Sequence, residues 1–287
     1  MRRTTVLNVS AVTLASGLKL SFAEQGDTLG PTVLLLPGPT DSWRSYEPVL
    51  VHLPGWMRVI AVSQRGHGES DKPDAGYAIE DFADDVVGLL NALRIDRAVL
   101  VGHSGSCLVA RKVALGHPQR VAGLILEASP GTLRDDARAR SFVESVISTL
   151  DDPISPEFAR TFVTATSSNV PAAMIDVFVE ETLRVPTRVW AQMFTDLVRY
   201  DDTNQLERIK APVLLIWGDS DPLITRNTQN LLLRALSTAN LIVYPAVGHT
   251  PRWEDPVRFS HDLTAFAHKL EHHPPRVTDP TRRGTAG

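Results

Sequence analysis

Leu100-Val101-Gly102-His103-Ser104-Gly105-Ser106-Cys107-Leu108 is the stretch on which the reading of this chain turns. An apolar run ends in Gly-x-Ser-x-small, and helix-forming sequence starts at once. A strand that passes so abruptly into a helix strains its backbone and needs small neighbours, which Gly102, Gly105 and Ser106 supply. The turn lifts the Ser104 hydroxyl clear and aims the N-terminus of the new helix at it, where free N–H groups favour an oxyanion. Taken alone, the five-residue motif also fits a plain small-residue turn; the strand before it and the helix after it favour the nucleophile.

Outward from this turn, strands and helices alternate. Val6–Leu14 and Lys19–Ala23 flank a Ser16-Gly17 turn and predict an opening hairpin. Thr32–Leu36, Trp56–Val62, Arg97–Val101, Val121–Leu126, Val213–Trp217 and Asn240–Tyr244 are the unbroken apolar runs of strands covered on both faces. Ile79, Phe82, Val86, Leu89, Leu90 and Leu93 share one helical face, as do Phe259, Leu263, Phe266, Ala267 and Leu270. Asp255 and Pro256 are suited to start the last helix. The alternation predicts an α/β fold, a mostly parallel central sheet with helices on both faces and ligands at the carboxyl ends of its strands. From Pro130 to about Arg208 no buried strand appears, and the interval is too long for a plain loop. It is expected to be a helical cap inserted before the penultimate strand. The core would then comprise 1–129 and 209–271, the cap 130–208, and the Pro-rich stretch 272–287 a disordered tail.

Of 287 residues, 43% are hydrophobic and 22% charged, with a formal net charge of −4, which disfavours nucleic acid as the main partner. The single cysteine, Cys107, excludes an intrachain disulfide and a thiolate zinc cluster. No run is long enough to span a membrane. Met1-Arg2-Arg3 and the segment after it could be mistaken for a secretory leader, but Asn8, Ser10 and Thr13 interrupt it, and a cytoplasmic location is expected. Neither a metal-ligand cluster nor a dinucleotide fingerprint is present, so no metal and no cofactor are expected.

A serine hydroxyl needs a base. Among nine histidines, His249 in Gly248-His249-Thr250-Pro251-Arg252 follows the last strand and precedes the last helix. Its imidazole needs an acid on the far nitrogen, and Asp221 in Gly218-Asp219-Ser220-Asp221 lies just past the preceding strand. Together with Leu34-Leu35-Leu36-Pro37-Gly38 and Gln64-Arg65-Gly66-His67-Gly68-Glu69-Ser70, these stretches make the chain resemble α/β-hydrolase fold proteins with a lid, over roughly residues 15–270. The resemblance is specific for fold and much less so for substrate.

That resemblance implies a catalytic set of Ser104, Asp221 and His249. The family pattern puts the acid three residues after the glycine, selecting Asp221 over Asp219; Glu127, at another strand end from which some relatives draw their acid, stays as the alternative. His103, His67 and Arg65 are expected to be structural, and Cys107 a core residue. Gly105 would give one oxyanion-hole N–H. The other is expected from the position that Pro39 occupies, and proline has none. Thr40, Ser42 or Trp43 would have to replace it, or the reaction would not need a full hole. Trp43, Trp190, Met193 and Phe194 are expected to line an apolar pocket, although each could equally be packing residues.

The leading expectation is a serine hydrolase cleaving a small or medium, apolar ester, lactone or similar carbonyl compound through an acyl-enzyme. Haloalkane and epoxide hydrolysis are disfavoured, because on this fold they use an aspartate nucleophile and the insertion has only Tyr200 where epoxide hydrolases pair two tyrosines. C–C bond hydrolysis, a cofactor-free oxygenase or lyase using the His/Asp pair, and a ligand-binding receptor with weak hydrolysis are the alternatives. The sequence carries no signal of oligomeric state.

Overall fold

A computed structural model describes residues 7–272, in which eight strands form one sheet. They are β1 (Asn8–Thr13), β2 (Lys19–Gly26), β3 (Thr32–Leu36), β4 (Arg58–Val62), β5 (Ala98–His103), β6 (Val121–Glu127), β7 (Val213–Gly218) and β8 (Ala239–Tyr244). Their order is β1-β2-β4-β3-β5-β6-β7-β8, with β2 antiparallel to both neighbours and the other pairings parallel. The Val6 end of the expected first strand and residues 273–287 of the expected tail lie outside the described residues.

The helices are α1 (Glu47–Leu50), α2 (Ile79–Ala92), α3 (Ser106–Gly116), α4 (Ala137–Ser145), α5 (Pro156–Thr164), α6 (Ala172–Leu183), α7 (Thr187–Arg199), α8 (Arg226–Ala235), α9 (Pro251–Glu254) and α10 (Pro256–His272). The two-residue period of the strands divides the core. Leu34, Leu36, Leu100, Leu124 and Leu126 face the side covered by Phe82, Val86 and Leu89 of α2 and by α3. Val33, Leu35, Val99, Val101 and Ile125 face the other, with Phe259 and Leu263 of α10. Arg258 donates its backbone N–H to Asp255 Oδ1 at 3.1 Å, so the expected cap opens α10.

Between β6 and β7 the chain forms α4 to α7 and no strand. Phe162 meets Trp190 edge-on at 4.8 Å and Trp190 stacks on Phe194 at 5.6 Å, so the insertion has an aromatic core. Arg111, fully buried on α3, holds both of its ends: it donates to the carbonyls of Pro130 and Gly131 at its start and pairs with Asp202 past α7. Among the described residues no helix is long and apolar enough to cross a membrane.

Candidate active site

Ser104 follows β5 directly with φ +52°, in the left-handed region that a non-glycine residue adopts only when its surroundings impose it. Its backbone N–H donates to Glu127 O at 2.9 Å, tying the turn to the end of β6. A Cβ at Gly102 would lie 2.6 Å from Ser106 O, so the reversal into α3 requires glycine there.

His249 Nε2 lies 2.9 Å from Ser104 Oγ, and His249 Nδ1 lies 2.8 Å from Asp221 Oδ2. Asp221 Oδ1 accepts the backbone N–H groups of Leu223 and Ile224 at 2.8 and 3.0 Å, which fixes the carboxylate. The structure thus brings together three residues on the loops after β5, β7 and β8. With the carboxylate holding a proton on Nδ1, Nε2 is left free to take the hydroxyl's proton. Asp219 is turned to another task, accepting the N–H of Ala246 at 2.7 Å. Neighbouring chain secures the histidine: His249 N–H donates to Thr166 O in the insertion at 2.9 Å.

Glu127, the alternative acid, does not reach the imidazole. Its carboxylate accepts the backbone N–H of Arg252 at 2.8 Å and Nη1 of the same residue at 3.3 Å. Arg252 is fully buried and also donates Nη2 to Asp41 Oδ2 at 2.6 Å. Two carboxylates thus share one guanidinium in the interior. Burial pushes the acidity of Asp41 down, moving its pKa from 3.8 to about 6 despite Arg252, and raises that of Glu127 as well.

His103 does not simply turn away from Ser104. Its Nε2 sits 3.0 Å from His249 O, which requires a proton there and leaves Nδ1 bare, buried and unpartnered against Gly38. A Cβ at Gly38 would come within 2.4 Å of that nitrogen, so only glycine lets the loop pass. Burial holds His103 far below the usual histidine range and therefore neutral. His67, brought down to about 4 by burial, is also neutral and braces the same loop: Nε2 accepts the Thr40 N–H at 3.2 Å, while Nδ1 meets Arg65 O at 2.7 Å. Arg65 in turn pairs with Asp85 at 2.6 Å. Cys107 is wholly buried, and burial pushes its thiol up to about 12.

Pro39 lies beside Gly105, where a Cβ would be 3.0 Å from Pro39 Cγ. None of the expected substitutes stands ready to donate. Thr40 gives its N–H to His67, Trp43 gives its own to Ser63 Oγ at 3.2 Å, and Ser42 lies off the cavity wall.

A cavity of about 400 Å³ opens over Ser104 and His249. Leu133, Phe142, Val143, Phe162, Val163, Phe194, Leu197 and Val198 of the insertion wall it, with Leu223, Ile224 and Trp253 from the core. Of the four expected pocket residues only Phe194 lines it. Trp43 packs into the core beneath with Tyr46. Trp190 is fully buried inside the insertion, one helical turn too early on α7 to reach the cavity. Met193 faces a separate crevice of about 20 Å³ beside Gly105 and Phe82. All three lie on buried faces, but the cavity meets only the later part of α7.

A family model for the alpha/beta hydrolase fold matches residues 31–256. The chain belongs to that family. It is similar to 2-(acetamidomethylene)succinate hydrolase of Mesorhizobium japonicum, 27% identical over 242 residues that span 81% of this chain and 85% of the relative. Among solved structures it is similar to an N-acyl homoserine lactone degrading enzyme, at 28% identity and a TM-score of 0.77, covering 90% of this chain and 100% of the other. A thermophilic esterase from Thermogutta terrifontis matches at 25% identity and a TM-score of 0.78, covering 92% and 99%. The protein is an enzyme of the hydrolase class.

Within this alpha/beta hydrolase, sequence reasoning missed Asp41, Arg252 and Thr166. A charged residue reads as a solvated one, and only burial reveals the first two as interior. Thr166 acts through its carbonyl, for which the side chain gives no signal. Among the described residues, no group of three or more His, Cys, Asp or Glu is placed to hold a metal ion.

Proposed function

We propose that this hydrolase cleaves an ester, a lactone or a related carbonyl compound through an acyl-enzyme. The observation that carries the reading is the unbroken hydrogen-bonded line from Asp221 through His249 to Ser104 Oγ, at the floor of an apolar cavity. Ser104 Oγ attacks the carbonyl carbon as His249 Nε2 takes its proton. The imidazolium, steadied by Asp221, then protonates the leaving oxygen. Water, deprotonated by the same nitrogen, attacks the acyl-serine and restores the hydroxyl. The N–H of Gly105, at the start of α3, faces the developing oxyanion. The substrate is small to medium in size and mainly apolar, in keeping with a 400 Å³ cavity, and α4 to α7 serve as the lid over it. Similarity to a lactone-degrading enzyme and an esterase supports the same class.

Pro39 favours a second reading. Losing one hole donor costs on the order of 10²–10³ in rate, so a reaction that leans less on the hole suits this loop better. A proton transfer by the His249/Asp221 pair, as in a cofactor-free oxygenase or lyase, would be of that kind. Labelling with a serine-directed fluorophosphonate separates the two, alongside turnover of an ester, lactone and thioester panel. The hydrolase reading requires labelling of Ser104 that vanishes in His249→Ala, and loss of at least 10³-fold in kcat in Ser104→Ala. Unlabelled Ser104 with turnover retained in Ser104→Ala would refute it.

A further inference from the structure

The cavity wall includes a carboxylate whose hydrogen-bonding capacity the protein leaves partly unused. Asp41 lines the wall with its side chain only 8% exposed, and Arg252 takes its Oδ2. The buried Ser45 hydroxyl lies beside the carboxylate, and no other described residue donates to Oδ1. The other polar side chains of the wall are engaged or turned away. Ser104 and His249 bond to each other, His103 gives Nε2 to His249 O and packs its bare Nδ1 against Gly38, and the more exposed Asp136 caps α4 through Oδ1. Thr250 bonds Ser167, and Arg138 is largely solvated. Asp41 also lies at the catalytic end of the cavity. It is two residues from Pro39, which touches Gly105, and Arg252 joins it to Glu127, whose carbonyl holds the Ser104 N–H.

A half-satisfied interior carboxylate is costly to keep. A neutral asparagine could accept the same bond from Arg252 without that cost, so an ionisable group here needs a partner that the protein itself does not supply. We propose that Asp41 determines specificity, its Oδ1 accepting a hydrogen bond from an N–H or O–H that the substrate carries next to its scissile carbonyl. The enzyme would then select amido- or hydroxy-substituted acyl compounds with an apolar chain over plain esters. A neutral donor suits the site better than an ammonium group, because the remaining wall is apolar and would strip a full charge of its water without replacing it. The inference rests on the acyl-transfer reading of Ser104 for its chemistry, though not for the contact.

The test uses N-hexanoyl-α-amino-γ-butyrolactone and its carba analogue, in which CH₂ replaces the amide N–H. Binding to Ser104→Ala is measured by titration calorimetry and turnover with Ser104 intact. The compound with the amide N–H is expected to bind at least tenfold tighter than the analogue. Asp41→Asn, added to Ser104→Ala, should narrow the ratio to within twofold, since Arg252 claims the amide oxygen and leaves NH₂, a donor, facing the cavity. In the protein with Ser104, the same preference should appear in kcat/KM and be carried by KM. Equal binding of the two compounds to Ser104→Ala, binding of neither, or a preference that survives Asp41→Asn overturns the proposal. The first comparison changes only the ligand, so it holds whatever Asp41→Asn does to folding. A preference in binding without hydrolysis of either compound would uphold Asp41 and refute the nucleophile; hydrolysis of both without preference would do the reverse.

Discussion

Asp41→Asn is expected to stabilise the fold above pH 6, which is unusual for removing one partner of an interior ion pair. Burial outweighs the Arg252 guanidinium and holds the acid at about 6, against 3.8 in an unfolded chain. Between those values the native protein keeps a proton that the unfolded chain has released, so stability falls as pH rises through the window. A gap of about 2.2 pH units, at 1.36 kcal/mol each, amounts to about 3 kcal/mol lost by neutral pH. Asparagine copies the protonated acid in shape and charge and still offers Arg252 an oxygen. The two proteins should therefore lie within about 1 kcal/mol of each other at pH 4 and differ by about 3 kcal/mol at pH 7.5, with the variant more stable. The charged and titratable groups facing Asp41 are Arg252, Glu127 and Tyr46, with the neutral His103 across the wall. Glu127 is also raised by burial, but it is present in both proteins and largely cancels in the difference. Urea unfolding followed by tryptophan fluorescence at pH 4, 5, 6 and 7.5 gives the comparison. A variant no more stable than the parent at pH 7.5 would show that the ion pair outweighs its desolvation, and would remove the argument that Asp41 is kept at a cost.

Three further outcomes follow from the geometry. Asp221→Asn should lower kcat on the order of 10³–10⁴, as loss of the imidazole's partner does elsewhere, whereas Glu127→Gln should stay within about tenfold; equal losses, or a severe loss only in Glu127→Gln, would refute the assignment. Leu197→Trp should fill part of the cavity, cutting kcat/KM for p-nitrophenyl octanoate at least tenfold while the acetate ester changes less than threefold; parallel changes would count against these walls holding the acyl chain. Arg111→Met leaves Asp202 buried without its cation and should cost about 3–5 kcal/mol in urea unfolding, and a loss below about 1 kcal/mol would contradict its role in fastening the insertion.

How much of this was legible in the sequence depended on whether a residue's task shows in its neighbours along the chain. Thr32–Leu36 coincides with β3, and the other interior strands differ by only a residue or two at their ends, because a strand covered on both faces must be an unbroken apolar run. Ser104 was legible because the strain of its turn demands small residues beside it. Asp221 was read from its distance to Gly218, and the Leu223 and Ile224 N–H groups explain why the chain must bend there. The pocket was not legible. Trp190, Met193, Phe194 and Leu197 share the buried face of α7, and which of them meets the cavity depends on how far α7 extends over α3, a tertiary fact. Asp41 and Arg252 were invisible for a related reason: a charged side chain is ordinarily solvated, and this pair is interior because Tyr46 and Trp253 enclose the guanidinium at 5.3 and 4.7 Å.

The same enclosure bears on how the site can open. His249 is held from both sides of its loop by the insertion: Thr166 O takes its backbone N–H at 2.9 Å, and Trp253 stacks on Phe178 of α6 at 4.1 Å. A Cβ at Gly248 would meet Thr166 O at 2.6 Å, so the contact is close enough to require glycine. Meanwhile Phe162, Val163 and Thr166, from α5 and the chain just after it, form cavity wall. On the proposed reading, the segment that walls the cavity thus also positions the base. Swinging α5 and α6 away would admit a larger ligand but would release His249 from the geometry it needs to reach Ser104. Access through the α4 side, whose residues make no contact of this kind with the histidine loop, leaves the base in place. Arg138, solvated on α4 at the cavity wall, lies on that side, so substrate entry past α4 is the route that keeps the proton-transfer line assembled while the ligand arrives.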